Sequence, residues 1–308
     1  MIKQIFFVIS FIVILFQNQV IAQDYVDLVR FKYDNTPLNQ FDSSTASTRV
    51  EEYVLDATLP IVLKNGNAII TGFDLQSLST KVNPTIPELT SVYSILIKAG
   101  MNLNFNEKWS GTFMFLPKLS SDLKEISSRD FQYGAYALMK YSKASNLKYQ
   151  FGMYYNSELF GPFFVPLIGL YYMSPSNKLE INATLPVWAD INYRFKPWLR
   201  AGFSFSAFVR SYNINEPRFS ENGEYLVKST NEPMLYLQFE PTKSIILQTK
   251  IGYSIGRQYR IYDQADKITF GLSAFRFGDD RQQLNSDFGD GLLFEARILY
   301  RFHVNKEE

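Results

Sequence analysis

The 308-residue chain has no cysteine, which removes a disulfide framework, thiolate zinc sites, thiol catalysis and lipid attachment through sulfur. It has one histidine, His303, too few for a multi-histidine metal centre. Neither charge is in excess. With 31 Lys+Arg against 30 Asp+Glu, nucleic-acid binding by bulk charge is excluded, and no nucleic-acid partner is expected. G-x-S-x-G and P-loop patterns are missing, and no catalytic, cofactor-binding or metal-binding residues are assigned. What the chain does have is aromatic side chains, 27 Phe and 20 Tyr, which rule out intrinsic disorder.

Residues 1–22 read MIKQIFFVISFIVILFQNQVIA. Lys3 gives a positive start, the run from Ile5 to Phe16 is broken only by Ser10, and Val20-Ile21-Ala22 supplies a cleavage site, so the segment reads as a secretory signal peptide. The alternative, a membrane anchor, is disfavoured because a helix spanning the bilayer needs about 20 apolar residues. The mature chain, 23–308, has no other apolar run of that length and reads as a single domain.

That domain repeats a two-residue period. From Tyr93 to Phe105 the odd positions are almost all apolar, while Ser94, Lys98, Asn102 and Asn104 occupy even ones. Phe131–Tyr141, Leu147–Tyr155, Leu199–Val209, Ile245–Ile255 and Leu292–Phe302 alternate likewise. Side chains in a strand point to opposite faces, so each run is a strand with an oily side and a polar side. Strands of soluble sheets average about 5–6 residues, whereas a tilted strand crossing a bilayer needs about 9–11. The length of these runs, and the aromatics near their ends, favour an antiparallel transmembrane β-barrel over a secreted sandwich.

Short turn signals such as Lys64-Asn65-Gly66-Asn67 and Ser174-Pro175-Ser176-Asn177 alternate with longer stretches at 34–48, 81–90, 118–129, 157–165, 213–231 and beyond 256. Fifteen strand-like runs can be delimited, but bacterial barrels have even numbers. Assigning 267–277 to a large external segment, 257–290, leaves 14 strands. The other repair, fusion of 178–196 into one strand kinked at Pro186, also gives an even number but puts the long 213–231 stretch on the periplasmic side; 12 or 16 strands stand as alternatives to 14.

With the oily faces on lipid, Glu52, Asp56, Asp74, Lys98, Lys140, Lys148, Glu180, Asp190, Arg194, Lys196, Arg200, Arg210, Glu240, Lys250, Glu295, Arg297 and Arg301 point into the lumen. Mixed signs suit interior ion pairs better than a one-sign selectivity ring; a solute path lined by these groups is the second reading. His303 falls on the periplasmic rim beside Arg301 and reads as a rim residue. The acid-rich stretch Gly278–Gly291 reads as a solvated loop, with a calcium site as the alternative; its spacing departs from an EF-hand loop. Leu159–Pro166, with two prolines, reads as an apolar loop that packs between its neighbours, with a plug or lid as alternatives.

Gly161-Pro162-Phe163-Phe164-Val165-Pro166-Leu167-Ile168-Gly169, Leu185-Pro186-Val187-Trp188, Ile191-Asn192-Tyr193-Arg194-Phe195 and the closing run Asp290–Phe302 carry a resemblance. In these the chain resembles an uncharacterised Gram-negative family, a domain of unknown function, whose members are outer-membrane β-barrels. The resemblance implies the fold and a cell outer membrane location, reached through the periplasm, and carries over no site residues. The last strand also resembles an outer-membrane assembly signal, with Tyr300 and Phe302 on the lipid face and six residues following. The expected partners are outer-membrane lipids, the assembly machinery and a small solute or lipid ligand. The leading functional reading is a porin-like barrel that binds or passes a small solute or lipid. A sealed structural or surface-interaction barrel is the alternative, and an envelope-lipid-modifying enzyme stands behind both.

Overall fold

Long alternating runs bury one face and expose the other only if the sheet closes on itself, because an open edge would leave unpaired backbone groups in lipid. A computed structural model describes residues 25–303, so the signal peptide expected over 1–22 lies outside the described residues. Fourteen antiparallel strands form the wall: β1 (Tyr25–Asn35), β2 (Val50–Val62), β3 (Ala68–Thr80), β4 (Thr90–Asn104), β5 (Trp109–Ser121), β6 (Phe131–Ala144), β7 (Leu147–Glu158), β8 (Gly161–Met173), β9 (Leu179–Leu185), β10 (Trp188–Lys196), β11 (Leu199–Ile214), β12 (Glu224–Phe239), β13 (Ile245–Asp263) and β14 (Gly291–His303). Each pairs with the next in sequence, and β14 pairs with β1 from Tyr25↔His303 to Asn35↔Phe294, which closes the cylinder. The stretch 267–277 supplies none of these 14 strands, as expected, though two short strands within it pair in beside β8.

The outward face carries the oily set. Ile97 is 48% exposed, and Leu235, Leu237, Ile251 and Ile298 are exposed elsewhere around the wall. Ring pairs gather near both rims: Trp109–Tyr141 at 4.9 Å and Trp198–Phe239 at 5.5 Å by the short turns, Tyr133–Tyr155 at 6.4 Å and Tyr155–Phe164 at 5.0 Å by the long loops. An even strand number, turns of a few residues at one rim, longer connections at the other and an apolar belt between aromatic girdles make this a transmembrane barrel of the outer-membrane kind.

Four strands run further than their sequence suggests, in three places. β8 begins at Gly161, so the expected loop 157–165 is a two-residue turn, Leu159-Phe160, between paired strands. The carbonyls of Phe160 and Phe164 both accept from a separate segment, from Ile268 N at 2.8 Å and Ser273 N at 2.8 Å. Backbone groups of alternate residues point the same way, so Pro162 and Pro166 face that side too, where no wall strand needs their missing N–H. β13 runs to Asp263 through a bulge at Gly256, whose φ of +62° suits glycine. The bulge reverses the parity: Ile246 and Gln248 point inward before it, Tyr259 and Ile261 after it.

The third extension matters most. β11 and β12 stay paired without a break from Leu199↔Phe239 to Ile214↔Glu224, through most of the expected loop 213–231. Over their upper halves the alternation of burial vanishes: Ser211, Tyr212, Asn213 and Ile214 are all buried, as are Glu224 to Lys228. A strand with both faces covered is not in contact with lipid. The upper hairpin leaves the wall and crosses the lumen, where Asn213 pairs with Ser121 of β5.

Candidate functional site: a partitioned lumen

An eight-stranded barrel is filled by its own side chains, whereas 14 strands enclose more space than that. The β11–β12 hairpin fills much of it at the long-loop end. Its inner face meets β2 and β3. Lys228 Nζ lies 2.5 Å from Glu52, Arg210 Nη1 lies 3.5 Å from Asp74 and donates to Gln76 at 2.7 Å, and Tyr212 donates to the same amide oxygen at 3.0 Å. Its outer face meets β5 to β7. Ser211 N donates to Glu158 at 2.7 Å, and the Ser211 carbonyl accepts from Ser120 Oγ at 2.9 Å and Gln132 Nε2 at 3.1 Å. Lys118 stands 3.6 Å from Glu158. Side chains thus replace the ladder partners that the strand edge gave up on leaving the wall.

Each side of this partition has its own apolar cluster. On one side Leu78, Val92, Tyr212, Leu226 and Ile261 pack with Phe41 and Phe288 from the loops above. On the other, Phe160, Phe163, Val165 and Leu167 pack with Tyr225, Val227, Tyr262 and Ile268. Loops cap the first cluster. Phe41 and Phe288 meet edge-on at 5.7 Å, and Asn285 donates to the carbonyls of Val82 and Tyr259 at 3.0 and 2.9 Å. A cleft of about 410 Å³ remains at the mouth, lined by Glu88, Asp122, Lys124, Glu216 and Arg218 among others. Beneath the hairpin, Asp34, Glu52, Glu232, Ser254 and Arg257 converge on a void of about 10 Å³, the size of one water.

Toward the short turns the lumen is polar and only partly covered: Lys98, Lys140, Asn182, Asp190 and Ser204 keep intermediate exposure. Charges here are paired along one strand or across one or two strand spacings of the wall. Arg200 forks to Glu180 at 3.2 Å and Glu240 at 2.7 Å, Glu295 takes Lys250 at 3.2 Å and Arg297 at 2.7 Å, Arg301 holds Asp27 at 2.6 Å, and Lys98 meets Asp56.

Of the charges expected inside, most are found there. Lys196 is not: a register shift after Arg194 turns it out of the lumen, exposed, over the Trp198 ring. Lys32, Asp34, Lys118, Glu158, Glu224, Lys228 and Glu232 are interior charges that alternation missed, because most lie where β1 is bulged or where strands were read as loops. Leu159–Pro166 supplies neither lid nor separate plug; it is the β7–β8 turn and the first part of β8, with Phe160, Phe163 and Val165 inside. His303 pairs with Tyr25 at the short-turn rim.

The acid-rich segment after β13 offers no cation cage. Asp279 binds Arg281 at 2.7 Å, Asp287 binds Arg260 at 2.8 Å, and Asp290 accepts from Arg257 N at 2.9 Å. The hydrogen bond from Arg281 holds the Asp279 carboxyl below its ordinary range. Among the described residues no three histidine or carboxylate side chains stand close enough to share a metal ion.

Solved structures similar to this one include an outer membrane channel from Pseudomonas putida F1, 9% identical over 90% of this chain and 95% of that one at a TM-score of 0.46. A mutant of the TodX monoaromatic hydrocarbon channel is 9% identical over 90% of both chains at 0.41, and the KdgM porin with oligogalacturonate is 10% identical over 89% of this chain and 99% of that one at 0.34. No curated protein matches the sequence. A family model described as "Domain of unknown function (DUF6268)" matches residues 19–286, most of the chain, and the protein belongs to that family.

Proposed function

We propose that the protein is a small-solute conduit of the outer membrane whose external half is gated by the β11–β12 hairpin. In this orientation the short turns are periplasmic and the long loops external, the arrangement usual for such barrels. The observation that carries the reading is the contrast along the lumen. The periplasmic half is lined by polar and charged side chains, some of them partly exposed, while the external half is closed by an element held through ion pairs and hydrogen bonds as well as packing. Polar contacts across a partition can be exchanged for water when it moves; a uniformly apolar plug has no such alternative. Paired charges of both signs suit an uncharged or zwitterionic solute better than a single ion.

Reconstituted full-length mature protein tests this. Proteoliposomes should swell in arabinose. A chain in which 211–227 are replaced by a two-residue turn should admit it several-fold faster and show larger conductance steps in planar bilayers. Absence of swelling and of steps in both proteins supports the sealed structural barrel instead.

A further inference from the structure

The wall is not of even height. β9 and β10 have only 7 and 9 residues and meet at Pro186-Val187, whereas β8 and β11 on either side continue. The last pairings at this level are Ile168↔Leu185 and Trp188↔Ser206. Above them β8 residues 161–167 and β11 residues 207–214 have no wall strand between them, a gap of three strand spacings of about 4.8 Å. Phe164 belongs to the external girdle, and Ile168 lies four residues below it. At about 3.3 Å per residue and a tilt of about 40°, the floor of the gap is roughly 10 Å deeper than that girdle, inside the hydrocarbon layer.

Two short strands from the β13–β14 connection, Phe270–Leu272 and Phe275–Phe277, occupy the gap. The first pairs in parallel with β8 at Phe163↔Gly271 and Phe164↔Leu272, and the second pairs with the first. The free edge of the second pairs with no strand among the described residues. β11, on the far side of the gap, has bent inward. A seam therefore separates Phe275–Phe277 from β11. Its lipid side is apolar and exposed, with Ile168 at 73% and Phe275 at 66%. Behind it lies the second apolar cluster, against which Val187 and Val209 pack. The lipid-facing belt thus continues through the wall to this cluster, bordered by Phe163, Leu167 and Val227, with the Arg276 guanidinium over the Phe163 ring at 4.8 Å and that of Arg281 over the Tyr262 ring at 4.2 Å.

We infer that this seam is a lateral port through which uncharged apolar small molecules pass from the outer leaflet into the barrel. The inference rests on the conduit reading only in taking the lumen as the destination. A polar solute gains nothing on this route, since it must first enter lipid; an apolar one exchanges acyl chains for aliphatic and aromatic side chains, on whose rings Arg276 and Arg281 are stacked.

The full chain expressed in the outer membrane of a Gram-negative host tests this with N-phenyl-1-naphthylamine, an uncharged probe whose fluorescence rises on entry into intact cells. Val187→Asp puts a charge at the floor of the seam, and Phe275→Glu puts one on its exposed edge, where no repacking is needed. Both should slow probe entry at least about tenfold, the effect of a charge in an apolar path, while Val187→Ile should not. Heat-modifiable gel mobility confirms that each variant is folded, and arabinose swelling should be alike in all four proteins. Wild-type rates of probe entry in folded Phe275→Glu would overturn the port. Probe entry that stays sensitive to these charges, with no arabinose swelling in any protein, would uphold the port and overturn the polar conduit.

Discussion

The β4–β5 and β11–β12 hairpins start alike and end differently. Both alternate oily and polar residues from the short-turn end, with Ile95, Ile97 and Phe115 outward on the first and Phe203, Leu235 and Leu237 outward on the second. β4 keeps apolar side chains on its outward parity up to Tyr93. On β11 the same parity runs Phe203, Phe205, Ala207, Val209 and then Ser211 and Asn213; on β12 it runs Leu237, Leu235, Pro233, Asn231 and Ser229. A strand cannot offer serine and asparagine to acyl chains without losing hydrogen bonds that the lipid does not return. The second hairpin escapes that cost by leaving the wall, and it finds its hydrogen bonds on β5 to β7. What separates a wall from a gate here is thus the polarity of a few outward positions.

Breaking the gate at its most buried contact should have the largest effect. Glu52 and Lys228 are each about 4% exposed in their side chains and join strands 176 residues apart. Removing one partner leaves a charge buried without its counter-ion, which typically costs about 3–5 kcal/mol. Lys228→Met should therefore lower the thermal midpoint of the refolded barrel sharply, and the double change with Glu52→Met should recover much of the loss. A double mutant no better than Lys228→Met would mean that the pair does not act as a unit.

The wall is tested next, by neighbours on opposite faces of β4. Ile97→Arg places a charge at mid-depth on the lipid face, at about 2–4 kcal/mol. Lys98→Gln beside it faces the lumen, where Asp56 keeps Arg30 at 3.6 Å. The first should impair assembly, read as loss of heat-modifiable mobility, and the second should leave it nearly unchanged. Equal, negligible effects would contradict the assigned faces.

Closure, strand number and exclusion of 267–277 from the wall were legible because each wall strand announces itself through local alternation. Two further features were present as signals but read as something else. Pro162 and Pro166, four apart in an apolar run, look like a loop. In the structure they mark a strand edge without a wall neighbour, which is where the wall is lowered. Ser211, Asn213, Ser229 and Asn231 look like the start of a polar loop; they are the positions where a paired hairpin stops facing lipid. Gly256 hides a parity reversal that no count of alternating residues detects. Glu158 and Lys228 could not be placed from the sequence at all, because they meet Ser211 and Glu52 only once the upper hairpin enters the lumen, and Lys118, in a stretch that reads as loop, pairs with Glu158 two strands away.

The comparison can be sharpened on a single strand. Ala201 and Ser211 share the outward parity of β11, ten residues apart. At Ala201 the face meets lipid, and Ala201→Leu adds apolar surface to an apolar environment, so stability should stay within about 0.5 kcal/mol of wild type. Ser211 has no exposed surface; its hydroxyl donates to Glu158 and accepts from Leu159 N at 2.7 Å. Ser211→Leu removes both bonds and forces a larger side chain into a packed contact, an expected loss of about 1–3 kcal/mol. Were the upper hairpin part of the wall, the same substitution would place leucine in lipid and stabilise the protein. Denaturant midpoints for the two variants in one detergent therefore read the position of the hairpin directly, and a Ser211→Leu barrel as stable as Ala201→Leu would return the hairpin to the wall.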